Sequence, residues 1–209
     1  ESDDQYVKLL QQGDTFENLR QMFDVHIVGK TGDTPVQLVP SGPGLVPEAI
    51  HSLLLTTIYS ARDELVLTTP YFVPDEPLLT ALKSAAQRGV HVTLIVPKKN
   101  DSKMVHYASQ AHYFELAKSG VRIMLFNDGL MHSKTITVDR EFSLFGSVNL
   151  DMRSFWLNFE ATLFIYDRGF ADKIRTIQAQ YMDRSEEIQL DEIESRPVIN
   201  RFKENISLL

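Results

Sequence analysis

The sequence predicts an α/β fold, a single domain built on a mixed, largely parallel sheet with helices on both faces. Two observations carry that expectation. Between residues 64 and 126 the order strand, helix, strand occurs twice in succession, and each helix runs into a glycine, Gly89 and then Gly120. Glycine is a natural carboxyl-terminal cap, and the repeated order is that of right-handed parallel crossovers. Beyond residue 130 the pattern changes to two short extended segments on either side of Asp139-Arg140-Glu141, which reads as a hairpin. The 209 residues are enough for one domain with a sizeable core, and 43% hydrophobic with 23% charged residues argues against wholesale disorder.

Residues 3 to 23 place apolar side chains at Tyr6, Leu9, Leu10, Phe16, Leu19, Met22 and Phe23, which suits one or two short helices broken at Gly13-Asp14. From Gly29 to Pro47 glycine and proline are densest, with Val36 to Val39 as a short strand inside, so residues 1 to 35 read as an amino-terminal segment with a linker and 36 to 209 as the domain. Pro47 suits the first position of a helix reaching about Ala61, with Ile50, Leu53, Leu54 and Ile58 on one face. Glu64 to Thr69 is a buried strand that delivers the stiff loop Pro70-Tyr71-Phe72-Val73-Pro74, whose aromatics either pack in the core or face a ligand at the strand's carboxyl end. A helix follows from Asp75 to Arg88, then a strand from His91 to Val96, a helix from Lys103 to Ser119 and a strand from Val121 to Phe126. After the hairpin come a strand from Glu160 to Tyr166, a helix from Phe170 to about Ser185, and an amphipathic helix from Arg196-Pro197 onward.

Charge and composition narrow the function. A net charge of -7 and a pI near 5.4 lack the basic footprint of a nucleic-acid binder, so no nucleic-acid partner is expected. Lys98, Lys99 and Lys103 cluster, either as a solvated loop or as a patch beside an anionic head group. There is no cysteine, hence no disulfide or thiolate chemistry. No apolar run reaches the roughly 18 to 20 residues of a membrane span, and no signal peptide is visible. The chain opens on Glu1-Ser2-Asp3-Asp4 without an initiator Met, as a piece of a longer protein would. His26, His51, His91, His106 and His112 show no zinc-ligand spacing and read as structural or exposed.

The chemistry concentrates between Met131 and Asp151. An extended backbone would place His132 and Lys134 on one side, and the hairpin returns Gly146-Ser147-Val148-Asn149 beside them. A phosphate under attack gathers charge on its non-bridging oxygens, which Lys134, Ser147 and Asn149 can hold by donation. His132 can attack phosphorus or carry a proton to or from an alcohol, and this chemistry needs no metal or cofactor. An isolated His-x-Lys is a common accident; His-x-Lys-x4-Asp-x6-Gly-Ser-x-Asn, with Asp139 as its acidic position, is far more specific.

That pattern resembles the signature of the phospholipase D superfamily. Leu150-Asp151-Met152-Arg153-Ser154-Phe155-Trp156, Thr69-Pro70-Tyr71-Phe72-Val73-Pro74 and Val96-Pro97-Lys98-Lys99-Asn100-Asp101-Ser102 resemble its bacterial cardiolipin synthase branch, and the resemblance covers roughly residues 36 to 209. It implies a phosphatidyl transferase at a bacterial inner membrane, acting on phosphatidylglycerol through a site assembled from two motif copies. One copy's histidine would form a phosphohistidine; His132, in the later copy, would be general acid and base. Lys134 and Asn149 would hold phosphate oxygens, Ser147 would support them, and Glu160 would orient the imidazole from 28 residues on. Asp139 belongs to the motif, but its place at a turn implies that it holds the hairpin. Only one copy is visible, so the second would come from an upstream half or a second subunit. Two alternatives stay open: a phospholipase or small nuclease acting as a symmetric dimer, and a catalytically incomplete fragment.

Overall fold

The computed structural model describes residues 32–43 and 48–190. The expected helices before residue 24 and after Pro197, together with Pro47 and His26, lie outside the described residues.

Burial alternation explains how the central strands form. In β2 (Glu64–Thr68) Leu65 and Leu67 face one side while Val66 faces the other, and all three are fully buried. β4 (His91–Pro97) repeats this with Val92, Leu94 and Val96 against Ile95, and β5 (Arg122–Phe126) with Ile123 against Met124 and Phe126. One face is covered by α1 (Glu48–Ser60), α2 (Glu76–Gln87) and α3 (Lys103–Lys118), which contribute Ile50, Leu54, Leu78, Leu82 and Leu116 to the larger core. The other is covered by α5 (Arg168–Met182), whose Tyr181 and Met182 pack on Val66, Ile95 and Phe126. A strand buried on both faces needs an unbroken apolar run, as found here. Asp75 and Ser102 cap α2 and α3 through their side chains, while Gly89 and Gly120 follow the helices with φ of +94° and +96°.

The eight-stranded sheet also contains β1 (Val36–Ser41), β6 (Thr135–Val138), β7 (Phe142–Gly146), β9 (Glu160–Ile165) and β10 (Ser185–Glu187), in the order β1-β9-β7-β6-β2-β4-β5-β10. It is mixed and carries helices on both faces as expected, but it is not largely parallel. Only β2–β4 and β4–β5 are parallel, the two crossovers read from sequence; the other five pairings are antiparallel. The hairpin pairs β6 with β2 rather than extending the crossover series, β7, β9 and β1 follow outward in antiparallel pairs, and β10 returns from α5 antiparallel onto β5 at the other edge. A separate two-residue ladder joins β3 (Phe72–Val73) to β8 (Leu150–Asp151), and α4 (Met152–Trp156) follows it directly.

Candidate active site

Antiparallel pairing of β6 on β2 puts Thr135 opposite Thr68, so the start of the motif strand lies at the carboxyl end of the parallel strands. The loops after β2, β4 and β5 gather at that same edge. Thr69 stitches them: its hydroxyl donates to the Tyr71 carbonyl at 2.7 Å and accepts from the Leu150 amide at 3.1 Å. The loop after β4 adds Asn100, which donates to the Pro70 carbonyl at 3.1 Å, and Asp101, which accepts from the Tyr71 hydroxyl at 2.9 and 3.1 Å. Phe72 is buried in the core, whereas Tyr71 presents its ring edge-on to His132, centroids 6.5 Å apart.

His132 and Lys134 stand just ahead of β6, in a segment without strand pairing. The Lys134 Nζ lies 3.1 Å from His132 Nδ1, 3.3 Å from Nε2 and 3.1 Å from the His132 carbonyl oxygen. Donation to a ring nitrogen requires a lone pair there, the same lone pair an attacking base or nucleophile uses. Burial pulls the Lys134 ammonium below its ordinary pKa, and the charges of Glu160 and Asp151 act in the opposite direction. The imidazole is exposed and the ammonium half-buried, so the pair is reachable from outside.

Asn149 lies at the same edge, donating to the Ser154 hydroxyl at 3.1 Å, while its Oδ1 is buried without a hydrogen-bond partner among the described residues. Ser147 accepts the Ala161 amide through its hydroxyl at 3.0 Å and donates its own amide to the Ala161 carbonyl at 3.0 Å, so it ties the end of β7 to β9 and keeps its O–H proton for another acceptor. Gly146 is required between them: a Cβ there would stand 2.2 Å from the Ala161 carbonyl oxygen. Glu160 accepts from Asn158 at 3.2 Å, and its charge acts on Lys134. The expected hydrogen bond from Glu160 to the imidazole is not made; among the described residues the ring nitrogens have Lys134 as their hydrogen-bond partner. Asp139 sits at the far end of β6 with φ of +51°, where its carboxylate accepts the amides of Arg62, Asp63 and Glu64 at 2.8 to 3.3 Å. It closes the hairpin turn onto β2.

A cavity of about 680 Å³ opens beside the motif. Tyr71, Asn149 and Asp151 belong to its wall, as do Asp101, Arg153 and the apolar Met104 and Met152. Sequence reasoning missed Asp151 and Asp101 as site residues, because each lies in a stretch that signals only a turn or a cap. It missed Gln178 as well. This fully buried residue of α5 donates to the Val66 carbonyl and the Thr135 hydroxyl and accepts from Thr137, so it holds the motif strand from beneath.

The family model described as cardiolipin synthase, PLD-like domain, matches residues 54–182, which include every side chain described at the site. The chain belongs to the cardiolipin synthase PLD-like domain family. Among curated relatives, Cardiolipin synthase A of Proteus mirabilis (strain HI4320) is 51% identical over 170 residues, 81% of this chain and 35% of that protein. Cardiolipin synthase A of Serratia proteamaculans (strain 568) is 50% identical over 171 residues, 82% of this chain and 35% of that protein. The chain thus spans about a third of the length of these relatives. Among solved structures, the phospholipase D family member Nuc from Salmonella typhimurium shares the fold with a TM-score of 0.65 at 21% identity, covering 75% of this chain and 99% of that one. Phosphatidylserine synthase from Haemophilus influenzae Rd KW20 does so with a TM-score of 0.64 at 19% identity, covering 83% of this chain and 48% of that one.

Proposed function

We propose that this PLD-like domain is one catalytic half of a cardiolipin synthase, transferring a phosphatidyl group from one phosphatidylglycerol to another with release of glycerol. The observation that carries the reading is the Lys134 ammonium held against the His132 ring at an accessible edge, with Asn149 beside the adjoining cavity. Lys134 turns from the imidazole to a phosphate oxygen when substrate enters, which frees the ring nitrogen for the proton. The donor phosphatidyl group first bonds to the histidine of a second motif copy, and His132 protonates the departing glycerol oxygen. The acceptor hydroxyl then attacks phosphorus, the phosphorus–histidine bond breaks, and the hydroxyl proton passes to His132. Ser147 and Asn149 assist Lys134 in holding the oxygens that gather charge. Glu160 supports the site through its charge on Lys134.

An anionic lipid at a membrane surface fits the surroundings. Leu130, Leu157, Met104 and Phe159 are 81%, 68%, 66% and 63% exposed, and each lies within a few residues of a group at the site or its cavity. Among the described residues no helix is long and apolar enough to cross a bilayer, so such side chains are what this part of the chain offers to lipid. We place the domain at the bacterial inner membrane on this reading.

The test combines this chain with a second motif copy and follows labelled phosphatidylglycerol vesicles. His132→Ala should lower transfer by about 10² to 10⁴, the usual worth of general acid and base help, with the fold retained because the ring is exposed. Full transfer by the His132→Ala form overturns the mechanism.

A further inference from the structure

The mechanism leaves two carboxylates unused in the cavity beside His132. Asp101 and Asp151 are odd neighbours for a site that must hold an anion, since each repels a phosphate. We propose that they form the subsite for the acceptor alcohol and select a headgroup carrying a vicinal diol, with Arg153 on the headgroup's phosphate. This deepens the reading given above and rests on it.

Several features converge. Asp151 borders both regions: its charge acts on Lys134, and its side chain lines the cavity. Its Oδ1 accepts the Ser154 amide at 2.7 Å as the cap of α4, and the Ser154 hydroxyl and the Arg153 amide also bear on the carboxylate, which fixes it and leaves part of its acceptor capacity for a ligand hydroxyl. Burial, with Glu160 nearby, pushes the carboxyl above its ordinary value. Asp101 is fixed in turn by the Tyr71 hydroxyl, whose ring abuts the imidazole. A diol bound between the two carboxylates is therefore separated from the base by the Tyr71 ring, which lines the cavity and lies edge-on to the imidazole at 6.5 Å. The remaining wall includes Met104 and Met152, an apolar surface for the carbon skeleton.

Carboxylates also attract ammonium headgroups, but two cationic side chains share this neighbourhood and repel them. Arg153 shares the wall and Lys134 stands near Asp151, so a cation gains little while hydroxyl donors keep their full benefit.

Three soluble phosphodiesters of equal phosphate charge test this by calorimetric or ligand-observed NMR titration of the 209-residue chain: methyl glyceryl, methyl propyl and methyl aminoethyl phosphate. The glyceryl diester should bind about tenfold more tightly than the propyl one, roughly the worth of one hydrogen bond to a charged group. Asp151→Asn and Asp101→Asn should each erase most of that preference. Asparagine keeps an oxygen for the Ser154 amide or the Tyr71 hydroxyl, and an unchanged melting temperature verifies the fold. Arg153→Gln should weaken both the glyceryl and propyl diesters alike. Equal binding of glyceryl and propyl diesters, tighter binding of the aminoethyl diester, no binding, or a preference that survives Asp151→Asn each overturns the subsite. The transferase reading fails separately: a diol preference lost in the Asp variants, without phosphatidyl transfer in the two-copy enzyme, leaves the subsite standing and removes the reaction.

Discussion

At the scale of single residues, two carboxylates show how position decides role. Asp139 is part of the motif, yet it spends its oxygens on three backbone amides at the end of β6 remote from His132. Asp139→Ala should cost about 1–3 kcal/mol by stranding those donors, while turnover per folded molecule in the two-copy enzyme stays unchanged; urea denaturation alongside a transfer assay checks both. Glu64 caps the same region from the other side, accepting Arg175 Nε and Nη2 at 2.8 to 3.0 Å and Arg140 Nε at 3.4 Å. Burial alone would raise its carboxyl, but the hydrogen bonds and charges of Arg175 and then Arg140 outweigh it and hold the folded value below the ordinary one. A depressed carboxyl stabilises the fold above its unfolded pKa, and that stability is lost as pH falls through the lower, folded value. Glu64→Gln should therefore cost most near neutrality, with the difference from the parent protein fading below about pH 4. An equal loss at pH 7 and pH 3 would show that the ion pair is not the cause.

At the scale of elements, α5 is more than a cover for the sheet. Gln178 reaches β2 and β6 at once, so Gln178→Leu leaves the Thr137 hydroxyl buried without its partner and takes the side-chain donor from the Val66 carbonyl, which stays paired in the β2–β6 ladder. The expected loss is about 1–3 kcal/mol, the cost of one stranded buried group, read by denaturant titration. Nothing in the spacing of Gln178 announces this, because a glutamine in an amphipathic helix is as easily a solvated residue. The helices and parallel strands were legible, since Leu65, Val66 and Leu67 form an apolar run and Gly89 and Gly120 punctuate it. So was the meeting of His132 with Lys134, although in the segment ahead of β6 rather than as strand residues. The antiparallel majority was not legible, because a hairpin declares its own two strands and not which strand it will join. Nor was the geometry of Glu160: its distance along the chain places it at the head of β9, while the direction of its side chain is decided by Asn158.

At the scale of the whole molecule, the two edges of the sheet differ in when they can form. β10 comes from the last described strand and pairs with β5, where Arg122–Glu187 and Lys98–Glu186 ion pairs fasten it. β1 is the earliest of the described strands, and among the described residues its neighbour in the sheet is β9, with Val36 opposite Ile165. Synthesis at about 5–20 residues per second leaves β1 without that neighbour for roughly 6–25 seconds after it has been made. During that interval an unpaired strand carrying Val36 and Leu38, which remain 53% and 61% exposed even in the finished fold, is a template for another chain. Chains ending at Asn158 freeze that interval. They should partition into the insoluble fraction, whereas chains extended through Gln189 should not, and equal solubility of the two would contradict it. The strand nearest the start of the domain thus makes correct folding wait on residues near its end, and places its greatest risk of misassembly during translation rather than afterwards.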